Sequence, residues 1–174
     1  MFEFSVRPEK APGRWYTYTT ETDQDGKPAP VLCEGKPVRA RIRAIPEPKL
    51  LEINIRHFGR KRELTWKRDE TRGQIDPEAQ AKSNVEKAIF ALVDTDHWAV
   101  LPSDEESAAA LRDLGIPAEA EKPAYLDGHW TPKVREWFFG LHLTVAAWVA
   151  SKAGDESSDE AREEAEGKGT SSPA

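Results

Sequence analysis

The chain has 174 residues, enough for one domain with a modest core. It is polar: 38% of residues are hydrophobic, 32% are charged, and 25 basic against 31 acidic residues leave a net charge of −6. The lone cysteine, Cys33, excludes an internal disulfide and a zinc site built from cysteines, and points to a reducing compartment.

Residues 1–10 show no basic start followed by an apolar run, so no signal peptide is expected. Phe2–Val6 alternates apolar and polar residues, as a strand does. Trp15–Thr20 is rich in β-formers and is expected to be extended, and Asp23-Gln24-Asp25-Gly26-Lys27-Pro28 is a turn signal. Val38, Ala40, Ile42 and Ala44 alternate with Arg39, Arg41 and Arg43, which places the arginines on one face of a strand and the apolar residues on the other. Pro46 and Pro48 break that run. Leu51, Ile53 and Ile55 alternate with Glu52, Asn54 and Arg56, predicting a second strand, and Glu63–Lys67 a third. An antiparallel sheet with one solvated face fits this pattern.

From Asp76 the signals become helical. Asp76-Pro77-Glu78 is an N-cap, a first-turn proline and an early acid, opening a helix to about Val93. Ser103 and Glu106 form a capping box for a helix that runs to Leu114 and stops at Gly115. Thr131-Pro132 opens the strongest helix: Val134, Trp137, Phe138, Leu141, Val145, Trp148 and Val149 form one stripe, ended by Gly154. This apolar stretch is interrupted and too short to span a bilayer. Residues 155–174 hold seven acids, two bases and no aromatics, and are expected to be disordered. The expectation is an α+β chain. A β-rich, arginine-rich region over 1–70 forms a small antiparallel sheet, a helical region spans 76–153, and a disordered acidic tail spans 154–174.

Residues 36–68 carry eleven bases and three acids, a local charge of +8. Arg39, Arg41 and Arg43 are the candidate basic surface. The block reads as a solvated sheet face, as a surface for an acidic partner such as the chain's own acidic tail, or as a nucleic-acid surface with Trp66 or Phe58 for stacking. No standard nucleic-acid motif accompanies it, so nucleic acid is not the expected partner. Asp94-Thr95-Asp96-His97 is spaced for a metal on a loop but lacks the glycine and terminal glutamate of a calcium loop, and reads as a capped helix exit. His129 and His142 flank a helix without a nucleophile beside them, and Cys33 sits next to Glu34, which raises a thiol's pKa. Neither catalysis nor a cofactor is expected. Six tryptophans require a core or a partner, and Trp137, Phe138, Leu141 and Trp148 are the candidate protein-binding face.

The layout of the second half resembles a known family. A helical block, then Asp127-Gly128-His129-Trp130-Thr131-Pro132 opening an amphipathic helix, then a Glu-rich tail, is similar to the tail assembly chaperones of long-tailed, lambda-type bacteriophages, over roughly residues 85–170. Leu92–Val100 also resembles the short Val-Asp-Trp stretch of small phage tail-assembly proteins. Glu166-Gly167-Lys168 can be encoded GAG-GGA-AAG, which contains a slippery heptamer of the kind used for ribosomal frameshifting in such genes. The resemblance implies a non-enzymatic protein of the host cytoplasm that coats the tape-measure protein, recruits tail tube subunits and forms homo-oligomers. A virion component of the neck, tail or surface decoration, and a small nucleic-acid-binding regulator, are the alternatives.

Overall fold

The computed structural model describes residues 13–22, 28–30, 32–59 and 76–169. The strands expected at Phe2–Val6 and Glu63–Lys67, and Trp66 with them, lie outside these residues. The protein is α+β, with a small antiparallel sheet in the N-terminal half and, among the described residues, five helices mostly in the C-terminal half.

The sheet has the order β1 (Arg14–Thr17), β6 (Arg39–Ile42), β7 (Leu92–Asp96). Tyr16 pairs with Ala40, which pairs with Thr95, and on the opposite face Trp15, Arg41 and Asp94 are aligned across the three strands. Ala40 and Ile42 are fully buried, as the alternation around the arginines requires. Three further antiparallel pairs are formed by β2 (Thr19–Thr22) with β3 (Pro28–Pro30), β4 (Leu32–Cys33) with β5 (Lys36–Pro37), and, across the helix between them, β8 (Ala99–Val100) with β9 (Ala124–Tyr125). Gly13 enters β1 at φ +94°, and a Cβ there would lie 2.3 Å from the carbonyl oxygen of Ile42. Gly13→Ala is therefore expected to lower stability by about 1–3 kcal/mol, read from the chemical-denaturation midpoint, because β6 must move to admit the methyl group.

The second expected strand is a helix, α1 (Glu47–Phe58). Pro48 and Glu47 sit in its first turn and His57 and Arg56 in its last, the placement a helix favours. Ile53 is fully buried, whereas Leu51 and Ile55, one turn apart, are exposed. Lys49, Glu52 and Arg56 pair along the outer face at spacings of three and four.

Helix α2 (Pro77–Ala91) is capped by Asp76, whose carboxylate accepts from the Glu78 backbone N–H at 3.0 Å. It ends at Ala91, where the chain enters β7; of the predicted helix exit at Asp94–His97, Asp94–Asp96 is thus strand and His97 the bend that follows it. The cap of α3 (Glu105–Asp113) is Asp104, not Ser103, and accepts from Ser107 N–H at 2.7 Å. The single helix expected after Pro132 is two: α4 (Pro132–Leu141) and α5 (Leu143–Gly169). His142 leaves the helical region at φ −111°, ψ 68° while its N–H still donates to Phe138 and its carbonyl accepts from Ala146. Gly140 and Thr144, both weak helix formers, flank the break.

Helix α5 does not stop at Gly154 but continues to Gly169, which corrects the expected disordered tail over 154–169. Ala146, Val149, Ala153 and Glu156 are buried along one helical stripe that passes Gly154. Glu156 accepts a short hydrogen bond from the Tyr16 hydroxyl and lies 3.5 Å from Arg14, so the acidic segment is tied to β1. Burial and that hydrogen bond push the Tyr16 hydroxyl pKa well above its ordinary value.

One core joins the two halves of the chain. Ala40, Ile42 and Ile45 meet Ala88 and Leu92, Leu111 and Ile116, Phe138 and Phe139, and Val149 and Ala153. Helix α5 packs along α2 and against β6, and α1 rests on α2. Among the described residues no helix is long and apolar enough to cross a membrane.

Candidate functional site

The tryptophans divide between core and surface. Trp98 is buried and meets Trp130 edge-on at 5.8 Å, Phe138 at 5.5 Å and Tyr18 at 6.2 Å. Trp130 stacks on Phe139 at 6.0 Å, and Trp148 meets Tyr18 edge-on at 5.0 Å. Such offset and edge-to-face pairs add stability beyond their buried area. Trp15 is exposed on the outer face of the sheet, with the Arg39 guanidinium 5.5 Å from its ring centroid.

The four predicted binding residues therefore occupy different positions. Phe138 is buried inside the aromatic cluster, and Trp148 is half-buried against Tyr18. Trp137 is half-buried and lines a groove, and Leu141 is open to solvent. The groove, about 570 Å³, runs between the Ala99–Pro102 segment, the Ser107, Ala110 and Leu111 side of α3, Trp137 and His142. A second groove of about 390 Å³ lies between α2, through Ala81, Val85 and Ile89, and the α4–α5 joint, through Gly140 and Leu143. Leu101, Leu141 and Leu143 are 67%, 64% and 47% exposed. The break at His142 thus presents two uncovered leucines, with apolar concavities bordering the joint on two sides. The His142 ring lies 4.5 Å from Phe138, and partial desolvation of this otherwise exposed residue lowers its pKa below the ordinary histidine value. Neutral His142 is the form this site favours: its contribution is present above the ordinary pKa and is lost as pH falls through the depressed one.

The arginine strand is not a uniform basic surface. Arg39 pairs with Asp96 at 2.5 Å, and this hydrogen bond holds the Asp96 carboxyl below the usual carboxylate range. Arg41 is aligned with Asp94 across the ladder. Arg43 turns onto α2, donating from Nε to the Phe90 carbonyl at 3.0 Å with its guanidinium 4.3 Å from the Phe90 ring centroid. An acid on β7 thus pairs with Arg39, and a second lies opposite Arg41 in the ladder, an arrangement that sequence proximity could not reveal.

Asp94 and Asp96 bind no common centre with His97, and among the described residues no group of three His, Cys, Asp or Glu side chains could hold a metal. Asp94 accepts from the Thr95 N–H at 2.8 Å, and Asp96 lies 3.0 Å from His97 Nδ1. The residue that organises this corner is Asp127. Its carboxylate accepts from the Thr95 hydroxyl at 2.6 Å, the His97 N–H at 2.9 Å and the Trp98 N–H at 3.2 Å. The Thr95 oxygen in turn accepts from Trp130 Nε1 at 2.7 Å. The Asp127-Gly128 pair marks a turn in the sequence, but nothing local assigns its carboxylate to a strand thirty residues earlier. No protein-family model, no curated protein and no solved structure matches the chain.

Proposed function

We propose that this chain is a non-enzymatic tail assembly chaperone of a long-tailed bacteriophage, acting in the host cytoplasm, that holds apolar segments of the tape-measure protein and brings tail tube subunits to it. The phage assignment rests on the resemblance of roughly residues 85–170. The observation that carries the binding reading is the exposed apolar side chains Leu141 and Leu143 at the α4–α5 joint and Leu101 in the wall of the larger groove, with a groove on either side of the joint. Exposed apolar side chains beside apolar grooves mark a place where a partner removes water. An amphipathic helix fits such a groove by inserting side chains at every third or fourth position. A groove of about 570 Å³ takes only a few anchors, so each copy binds weakly and several copies along a long partner bind firmly. Self-association of the chain belongs to this reading.

Co-expression with the tape-measure protein of the same genome tests it. The wild-type chain is expected to keep that protein soluble and to co-purify with it, and Leu101→Asp with Leu141→Asp to weaken the complex at least about tenfold while the fold is kept. An insoluble tape-measure protein in both cases, or an equal complex with the double variant, overturns the proposal. Mass spectrometry of purified particles separates a chaperone, which is absent, from a structural component, which remains.

A further inference from the structure

A third concavity, about 590 Å³, lies among α1, the end of α2, the start of β7 and α4, and differs from the grooves in its charge. Arg43, Lys49 and Arg135 line it against one acid, Glu86, with Phe90 and Trp130 among its apolar walls. Glu86 is already engaged by Arg56 and by His57, the latter at 2.7 Å. Arg135 is half-buried and donates to the carbonyls of Trp130 at 3.1 Å and Ile89 at 2.9 Å, and to that of Leu92. Arg43 is held by the Phe90 carbonyl and ring. Backbone carbonyls orient both guanidiniums, but among the described residues neither has a carboxylate at ion-pair distance; Asp94 is the acid whose charge reaches Arg135. Burial, and then the charge of Arg43, lower the Arg135 pKa, with the charge of Asp94 opposing them. Lys49 is shared with Glu52, 3.4 Å away, on the solvent side.

Fixed, partly desolvated guanidiniums with no described carboxylate at ion-pair distance suit a carboxylate, and the aromatic wall suits the methylene stem of a glutamate. The acid-rich segment 155–166 holds seven acids and one base. Within the chain, its buried acid Glu156 and its exposed Asp159 are committed to Arg14 at β1, and no described acid of the segment pairs with Arg43 or Arg135. We infer that this pocket is a carboxylate site that receives a glutamate of the 155–166 segment of a second copy of the chain. The contact is head-to-tail, so it can propagate along a series of copies. It deepens the self-association proposed above by assigning the contact that produces it.

Sedimentation of the full-length chain over a range of concentrations tests the site. Concentration-dependent association is expected at low salt, weakened at least about tenfold near 0.5 M salt, where the screening length falls to a few ångströms. Lys49→Glu is expected to weaken association at least about tenfold, and so is the triple change Glu160→Gln, Glu163→Gln, Glu164→Gln, each with unchanged circular dichroism. The isolated 155–166 peptide is expected to compete. A chain that is monomeric at low salt overturns both the site and self-association. Association unaltered by both variants overturns the site and leaves self-association standing. A short oligonucleotide that binds the pocket more tightly than the peptide overturns it in favour of a nucleic-acid surface.

Discussion

Replacing Phe139 by alanine is expected to lower the unfolding free energy by about 3–5 kcal/mol, the largest loss of any single side chain discussed for this fold. Phe139 is fully buried, stacks on Trp130 at an interplanar angle of 16°, and meets Phe138 edge-on at 5.5 Å. Truncation removes the ring's burial and leaves a cavity that its neighbours cannot fill without leaving their rotamers. Stability of a domain this size is about 5–15 kcal/mol, so the loss takes a large share of the total. Urea denaturation checks the value through a lower midpoint at an unchanged slope. Near-ultraviolet circular dichroism should lose the signal of the ordered tryptophans. Leu141→Ala, two residues further along the same helix, is the control: this side chain is mostly in water and its loss should cost under about 0.5 kcal/mol. A loss below about 1 kcal/mol for Phe139→Ala would show that the aromatic cluster is not the centre of the core.

The contrast between these neighbours shows how far the sequence could be read. The stripe from Val134 to Val149 was legible because 3.6-residue spacing survives the break at His142: residues on both sides still face one core. Which of its members remain open was not legible, since that depends on what α3, Tyr18 and Trp98 cover, and those are distant in sequence. Strand β6 was legible because alternation over Val38–Ala44 has no helical interpretation. Alternation over Leu51–Ile55 misled, because in three apolar residues a period of two is hard to tell from part of a helix. The better signal was the first-turn pair Glu47-Pro48.

Strand β7 and the later part of α5 were hidden for a different reason. Asp94 and Asp96 have low strand propensity, and the pairing of Asp94–Asp96 is fixed by Arg41, Ala40 and Arg39 of a strand fifty residues earlier. The acidic composition after Gly154 argues for disorder until Tyr16 and Arg14 supply partners for Glu156. In both places a polar segment is ordered by a specific long-range partner, and composition carries no record of which partner it is.

Asp127→Ala is the corresponding test for the turn that joins β7 to Trp98. The substitution leaves the Thr95 hydroxyl and the His97 and Trp98 N–H groups without their acceptor. Hydrogen bonds to an ionised group are the stronger kind, and an unsatisfied, partly buried donor costs about 1–3 kcal/mol. Water reaches part of this turn, so a total loss of about 2–4 kcal/mol is expected. Asp127→Asn retains a carbonyl for Thr95 and Trp98 but turns an amide N–H₂ toward the His97 N–H, and should cost about half as much. Denaturation midpoints measure both losses, and hydrogen exchange at His97 and Trp98 localises them. Equal effects of alanine and asparagine, or protection unchanged at both amides, would remove Asp127 from this role. The consequence extends to binding. Trp98 leads directly into Ala99–Pro102, the wall of the larger apolar groove, so a loosened Trp98 loosens that wall. On the proposed chaperone reading, affinity of the Asp127→Ala chain for the tape-measure protein should fall more than the intact grooves and leucines would predict, because the surface loses its preorganisation rather than its contacts.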